Sequence, residues 1–187
     1  LDGDELVLES IALDDIILSS NEYRVEKDSL TILSPPSRQF TLTITTRLDP
    51  AANTKLMGLY RSSGNYCTQC EAEGFRRITY FLDRPDIMSV YTTRIVAKKS
   101  EAPILLGNGN PIEHGDLDEG WHYAVWHDPH PKPSYLFALV GGQLGKVGGQ
   151  FVTRSGRKVD LGIYVEMGKE NRAAYALDVL IRSMKWD

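Results

Sequence analysis

The stretch FTLTIT at residues 40–45 decides the fold class, because its apolar residues alternate strictly with threonines. A period of two places the apolar side chains on one face of an extended chain, which is typical of a half-buried strand. Further strand patterns lie at residues 56–61, 91–96 and 121–125. Repeated short strands of this kind predict a mostly β domain.

Three later segments extend this prediction. Residues 135–140 form a continuous apolar run between prolines and glycines, which predicts a strand buried on both faces. Ser155-Gly156 separates two extended stretches and predicts a tight hairpin. The glycine-rich residues 141–149 lack the phosphate-loop pattern, so we interpret them as a flexible connection between strands.

The last part of the chain changes to a helical period. Apolar residues recur there at helical spacing: Ala173, Leu177, Leu180 and Met184. They predict one amphipathic helix, for which Asn171 is a suitable N-cap. We therefore expect a β domain over residues 1–165 and a helical linker over residues 166–187. Both ends of the chain look cut, which predicts a piece of a longer protein.

The composition limits the kinds of partner. The chain has 21 basic and 25 acidic residues, a formal charge of -4, whereas a nucleic-acid-binding domain carries a basic patch that displaces counterions from phosphates. No apolar run approaches the length of a transmembrane helix, and the acidic first five residues are unlike a signal peptide. We therefore expect no nucleic acid and no membrane as partners, and a cytoplasmic location.

Cys67 and Cys70 form a single CxxC motif. In an extended segment they would lie about 10 Å apart, beyond the ~7 Å limit for a disulfide, which favours a reducing compartment. A structural zinc site needs a second pair of ligands, and the chain has no third cysteine. Glu71 and Glu73 follow the motif, and nearby negative charge raises a thiol pKa. We interpret both cysteines as structural.

Three histidines, His122, His127 and His130, lie close together in the sequence. His122 and His127 are five residues apart, so a strand would point them to opposite sides. No HExxH motif is present, and residues 127–131, HDPHP, are better explained as a surface loop held by prolines. The histidines therefore predict no metal site.

The segment CTQCEAEGF at residues 67–75 contains the most distinctive polar pattern. If it is extended, Gln69, Glu71 and Glu73 share one face, and Gly74 allows a sharp exit. One interpretation is a solvated strand face, since charged side chains are mostly exposed. The other is a carboxylate and an amide aimed at a cationic or polar ligand. The residues alone leave both open.

Several long segments resemble the N-terminal domain of the bacterial aminopeptidase N family. The similarity runs from about residue 30 to residue 187 and rests on ordered matches: GLYR at 58–61, CTQCEAEGFRRITYFLDRPD at 67–86, GNGN at 107–110, DPHPKP at 128–133, YLFALV at 135–140, TRSGR at 153–157 and SMKWD at 183–187. Such matches are far more specific than a short motif. The resemblance implies a saddle-shaped, multi-sheet, β-sandwich-like domain with a C-terminal helix, and further strands upstream of Leu1.

The resemblance also implies a function. Members of the family are gluzincin zinc exopeptidases that remove one residue from peptides with a free N-terminus. Their zinc ligands and GAMEN motif lie in a following catalytic domain, so we expect zinc in the full-length enzyme, with its ligands outside this chain. This chain alone is expected to be inactive and to have the catalytic domain of the same polypeptide as its partner.

Two residue roles follow from the resemblance. Glu71 matches the glutamate that helps to bind the α-ammonium group of the substrate, and Gln69 matches the glutamine that lines the pocket for the first side chain. Residues 82–86, LDRPD, match a family turn with Arg84 in place of glutamate. We expect this turn to be structural.

Two other functional classes stay open on the residues alone. A non-catalytic β-sandwich binding or adhesion module is supported by the strand pattern, but a fold does not imply a function. A structural lid that stabilises a neighbouring domain is the other. A GAMEN motif followed by HExxH after residue 187 would decide for the enzyme.

Overall fold

The computed structural model describes residues 1–186, which form fourteen strands and one α-helix. The elements run in this order: β1 Val7–Leu13, β2 Ile16–Ile17, β3 Tyr23–Val25, β4 Leu30–Ile32, β5 Leu42–Arg47, β6 Gly58–Ser62, β7 Asn65–Gln69, β8 Ser89–Lys98, β9 Ile104–Gly107, β10 Asn110–Asp116, β11 Trp121–Lys132, β12 Leu139–Gly142, β13 Leu144–Val152, β14 Lys158–Glu166 and α1 Ala174–Trp186. The predicted mostly β class with a C-terminal helix is confirmed.

The strands pair into five small antiparallel sheets in residues 1–186. Their strand orders are β2-β1-β5, β10-β11-β8, β6-β7-β12-β9, β13-β14 and β3-β4. The alternation at residues 40–45 is confirmed in β5, where Leu42 and Ile44 are half-buried and Thr43 and Thr45 are exposed. The predicted hairpin is also confirmed, because β13 and β14 pair from Leu144 to Val152 along their whole length.

The prediction of a doubly buried strand at residues 135–140 was wrong. A 3-10 helix, Ser134–Leu136, fills its first half, Leu136 is 50% exposed, and β12 begins only at Leu139. The reason is Ser134, which is 2% exposed and donates its hydroxyl hydrogen bond to the Asp83 carboxylate. This buried hydrogen bond fixes the course of the backbone at this point. Of residues 135–137, only Phe137 belongs to a cluster of buried hydrophobic residues, together with Cys70 and Phe75.

The interpretation of residues 141–149 as a flexible connection was also wrong. These residues belong to β12 and β13, and Gly148 pairs with Gly162 of β14. A Cβ at Gly149 would lie 3.2 Å from the Leu177 side chain of α1, which is closer than most such contacts. Glycine at this one position therefore lets the helix lie close to the sheet.

Residues 127–131 are not a plain surface loop. The pairing of β11 with β8 continues through Asp128 and resumes at Lys132 after a bulge. Pro129 and Pro131 cannot donate ladder hydrogen bonds, which explains the bulge. An ion pair of 2.8 Å between Asp128 and the buried Lys132 spans it.

The C-terminal helix begins later than predicted. Asn171 is not its N-cap but lies in a 3-10 helix, Glu170–Arg172, and α1 begins at Ala174. Ala173 is 2% exposed and anchors the junction. Asp187, the last residue of the predicted linker, lies outside the described residues, and the division at residue 165 stays a prediction.

Two clusters of buried residues form the core. One contains Ile11, Leu30 and Tyr80, and the other contains Cys70, Phe75 and Phe137. Within residues 1–186, no helix is long and apolar enough to cross a membrane. The second cluster lies directly below the segment that the sequence singled out.

Candidate functional site

The polar segment is extended only as far as Gln69, so the prediction that Gln69, Glu71 and Glu73 share one strand face was wrong. Strand β7 ends at Gln69, residues 71–74 form a turn, and a 3-10 helix, Phe75–Arg77, follows at once. The turn is closed by a 2.7 Å hydrogen bond from the amide of Gly74 to the Cys70 carbonyl.

The predicted sharp exit at Gly74 is confirmed, and its physical reason is close approach. A Cβ at this position would lie 2.2 Å from the carbonyl oxygen of Gln69. The φ of Gly74 is -87°, which other residues also adopt. Glycine is therefore required because the backbone folds back on itself, not because of its dihedral angles.

Gln69 and Glu71 lie beside each other at the surface end of this turn. Gln69 is exposed, pairs with Gly58 across the sheet, and donates a 3.2 Å hydrogen bond from Nε2 to the Glu71 carbonyl. The Glu71 side chain is exposed, and its carboxylate has no hydrogen-bond or ion-pair partner among residues 1–186. The peptide between Glu71 and Ala72 is cis. The turn thus presents one unpaired carboxylate next to one amide.

The turn stands on a cluster of aromatic rings. Phe75 meets the rings of Phe81 and Phe137 edge to face, with centroids 5.0 and 5.1 Å apart, and that of Tyr91 at 6.0 Å. Edge-to-face pairs each add about 0.5–1.5 kcal/mol beyond the burial of apolar area. Cys70, 3% exposed, packs in the same cluster. The contacts of this base are therefore directional as well as apolar.

A buried carboxylate at residues 82–86 supports the 3-10 helix that follows the turn. The Asp83 side chain is 1% exposed and accepts hydrogen bonds from the amide and Nε of Arg76, at 3.1 and 2.9 Å, and from the Ser134 hydroxyl. Its own amide donates to the Asp2 carboxylate at 3.0 Å. These contacts agree with the structural role expected for residues 82–86.

Sequence reasoning missed a second set of ion pairs that holds the 3-10 helix. The guanidinium of Arg77 forms ion pairs with Asp4 and Glu5, and Glu5 also pairs with Lys55 at 2.5 Å. The only signal in the sequence was the acidic start of the chain and the adjacent arginines 76 and 77. Nothing in either segment indicated that they meet.

Both thiols are free, as expected. Burial raises the pKa of Cys70 to about 12, and the nearby Asp83 carboxylate adds to this effect; burial also raises the pKa of Cys67. A protonated thiol is a poor nucleophile and metal ligand. The charges of Glu71 and Glu73, which the sequence suggested as a cause, do not contribute to these pKa shifts. We still interpret both cysteines as structural, now because they are buried.

The donor groups of residues 1–186 do not fit a zinc site. Among residues 1–186, no three His, Cys, Asp or Glu side chains are grouped so that they could hold a metal ion. His122 is buried, with Nε2 2.7 Å from the Ala102 carbonyl oxygen, and Nδ1 of His127 lies 2.9 Å from the Thr92 hydroxyl. The two histidines thus have separate partners.

The fold and the turn define a known class of domain. The sequence profile of the Peptidase M1 N-terminal domain family matches residues 5–136. The chain belongs to this family. The predicted resemblance is therefore confirmed at the level of the family.

Individual relatives extend the similarity over the whole chain. It is 54% identical to aminopeptidase N of Caulobacter vibrioides and 49% identical to aminopeptidase N of Escherichia coli, in each case over 187 residues. These matches cover 100% of this chain and 21% of each relative. The chain thus spans about a fifth of the length of the curated relatives it matches.

Solved structures give the same result. The chain superposes with a TM-score of 0.95 and 41% identity on aminopeptidase A of Legionella pneumophila, crystallised with aspartic acid, over 100% of this chain and 22% of that one. An M1 zinc metallopeptidase of Deinococcus radiodurans, bound to a Tyr-Ser-Ala substrate, gives a TM-score of 0.73 at 16% identity over 90% of this chain and 39% of that one. The second likeness concerns the fold alone.

Proposed function

We propose that this chain is the N-terminal domain of a zinc aminopeptidase that removes single residues from the free N-terminus of peptides. In this proposal Glu71 binds the α-ammonium group of the substrate, and Gln69 forms one wall of the pocket for the first side chain. A zinc-containing catalytic domain of the same polypeptide performs the hydrolysis. Membership of the M1 family supports this function over a binding or adhesion module.

One observation carries the site proposal: the Glu71 carboxylate is exposed and unpaired within residues 1–186, while the backbone below it is fixed. Some other exposed carboxylates, such as Asp15 and Glu101, are also unpaired within residues 1–186, whereas others have partners. Glu5 pairs with Lys55 and Arg77, and Glu9 pairs with Arg47. An unpaired carboxylate on a rigid turn is well suited to receive a cationic group from a ligand.

An exopeptidase must measure the distance from the charged amine to the bond that it cleaves. A carboxylate at a fixed position does this, because it binds the ammonium group in only one place relative to the reacting carbonyl. A hydrogen bond between charged groups contributes about 1.5–3 kcal/mol net, more than a neutral one. Gln69 lies next to this turn, and its side-chain amide donates a hydrogen bond to the Glu71 carbonyl, which links the two residues.

Zinc has to be held elsewhere in the polypeptide, since the donors of residues 1–186 do not form a site for it. We therefore propose that this chain contributes binding and orientation of the substrate and no step at the metal. The chain alone should show no turnover of an alanyl anilide with added zinc. Turnover by the purified 187-residue chain would contradict this part of the proposal. The two free thiols support a cytoplasmic location.

The test of the site is Glu71→Ala in the full-length enzyme. We expect kcat/KM for peptide substrates with a free amine to fall by about a hundredfold or more, the equivalent of losing a charged hydrogen bond of ~3 kcal/mol. Zinc content, measured by atomic absorption, should stay unchanged.

Glu73→Ala is the matched control. Glu73 is an exposed carboxylate two residues away, and its nearest cation is Arg76 at 3.7 Å. We expect kcat/KM within about twofold of the unmodified enzyme, as for other surface substitutions. An unchanged kcat/KM in Glu71→Ala, or an equal loss in both variants, would remove Glu71 from the site.

A further inference from the structure

The position of the Glu71 carboxylate depends on the backbone of the turn, because no side chain within residues 1–186 holds the carboxylate itself. The start of the turn is fixed by the sheet, through the pairing of Gln69 with Gly58. Its middle is closed by the bond from the Gly74 amide to the Cys70 carbonyl. What fixes its far end therefore decides how precisely Glu71 is placed.

The far end runs into the 3-10 helix Phe75–Arg77, which has no capping side chain of its own. Gly74 occupies the N-cap position and makes no side-chain hydrogen bond. The cap comes instead from Asp83, whose Oδ2 accepts the Arg76 amide at 3.1 Å. A carboxylate from another segment thus satisfies a backbone donor that the first turn of a helix normally leaves open.

Arg76 strengthens this cap by binding Asp83 twice more. Its Nε donates to Asp83 Oδ2 at 2.9 Å, and its Nη2 donates to the Asp83 carbonyl at 2.9 Å. The Ser134 hydroxyl donates to the other carboxylate oxygen. Asp83 is 1% and Arg76 20% exposed, so solvent screens this arrangement little. Side chain and backbone of Arg76 are both fixed by one buried group.

We propose that Asp83, acting through Arg76, is a positioning residue that holds the turn so that Glu71 meets the α-ammonium group of the substrate. This inference rests on the proposed function of Glu71. Asp83 does not touch the substrate, and its effect on catalysis passes through the backbone between residues 76 and 71. A misplacement of about 1 Å reduces the rate by around a hundredfold in well-ordered sites.

The test is a double-mutant cycle in the full-length enzyme with Asp83→Asn and Glu71→Gln, which both preserve side-chain size. Alone, Asp83→Asn should lower kcat/KM for an alanyl anilide about ten- to hundredfold, with unchanged zinc content. In the Glu71→Gln background the same substitution should change kcat/KM by less than about twofold. A misplaced carboxylate cannot matter once the carboxylate has been removed.

A merely structural role gives a different result, because a general loss of folded enzyme multiplies with any other substitution. An equal fold-loss from Asp83→Asn in both backgrounds would therefore overturn the inference while leaving the proposed function standing. No loss from Glu71→Gln alone would overturn the proposed function and the inference with it. The two failures are thus distinguishable.

Arg76→Lys covers the case in which Asp83→Asn does not fold. Lysine keeps the positive charge but cannot reproduce the fork of two donors. We expect a smaller loss of kcat/KM that again disappears in the Glu71→Gln background. A loss that persists there would contradict the inference.

Asp14→Asn is the matched control. Asp14 also accepts from a backbone amide, that of Thr41 at 2.8 Å, and from a guanidinium, that of Arg38 at 2.6 Å, but it is more exposed than Asp83 and lies beside the sheet formed by β1 and β5. It should leave kcat/KM within about twofold of the unmodified enzyme. A loss equal to that of Asp83→Asn would show that any such carboxylate matters, and would overturn the inference.

Discussion

The base of the turn and the C-terminal helix bury apolar surface in opposite ways. Below the turn, Phe75 is 6% exposed and meets three aromatic rings. Helix α1 lies against β13 and β14 with one half-buried side, and leaves Tyr175 74% and Trp186 87% exposed. Phe75 is thus surrounded by edge-to-face ring contacts, whereas α1 packs with only one of its faces.

The difference lies in what specifies each region. The base is assembled from segments far apart in sequence, and the buried Asp83 carboxylate beside it is hydrogen-bonded to Arg76 and Ser134, so few alternative arrangements are available. The helix follows from a local period and tolerates change on its outer side. Substitutions should therefore be costly in the base and mild on the helix.

The largest effect is expected for Phe75→Ala. Removal of a fully packed aromatic side chain leaves a cavity and lowers the free energy of unfolding by about 3–5 kcal/mol. The measurement is urea unfolding of the 187-residue chain, followed by tryptophan fluorescence. A loss below about 1 kcal/mol would mean that the base is loosely packed, and the contrast with the helix would disappear.

An intermediate effect is expected from alkaline pH through Cys70. Its pKa is raised from 9.0 to about 12, chiefly by burial, so the folded protein keeps a proton that the unfolded chain loses above pH 9. The unfolded state then binds fewer protons, and stability falls between pH 9 and pH 12, by at most about 1.4 kcal/mol per pH unit.

This dependence is measured as the free energy of unfolding between pH 8 and pH 10.5 for the unmodified chain and for Cys70→Ala. The variant should show a flatter dependence above pH 9. Burial also raises the pKa of Tyr91 to about 12, from 10.0, so part of the slope should remain. Identical slopes for both proteins would show that the Cys70 thiol is accessible to solvent.

The smallest effect is expected for Tyr175→Ala on the outer side of α1. Because the side chain is 74% exposed, we expect the free energy of unfolding to change by no more than about 0.5 kcal/mol. The same urea experiment measures it. A loss as large as that of Phe75→Ala would show that the helix is as tightly specified as the base.

The sequence predicted those parts of the fold that follow from local period. The alternation in β5, the hairpin of β13 and β14 and the C-terminal helix are all confirmed. It was wrong where a distant partner decides the path. Residues 135–140 were assigned to a strand because nothing local shows that Ser134 binds Asp83, 51 residues earlier.

For the candidate site, the sequence located the segment but not its shape. Gln69 ends strand β7 and Glu71 begins the turn, so the two lie together at the surface without sharing a strand face. The turn results from backbone approach at Gly74 and from the cap by Asp83, and both depend on tertiary contacts. The role of Glu71 stays a prediction that the Glu71→Ala experiment decides, and the role of Gln69 stays a prediction.

The contacts of Asp83 also set an order for folding during synthesis. Its amide binds the Asp2 carboxylate, 81 residues earlier, and its carboxylate binds the Ser134 hydroxyl, 51 residues later. At about 5–20 residues per second, the ribosome completes the turn several seconds before it delivers Ser134. During that interval a nascent chain carries Glu71 without its finished support. The support of Glu71 is thus completed only after Glu71 itself has been made.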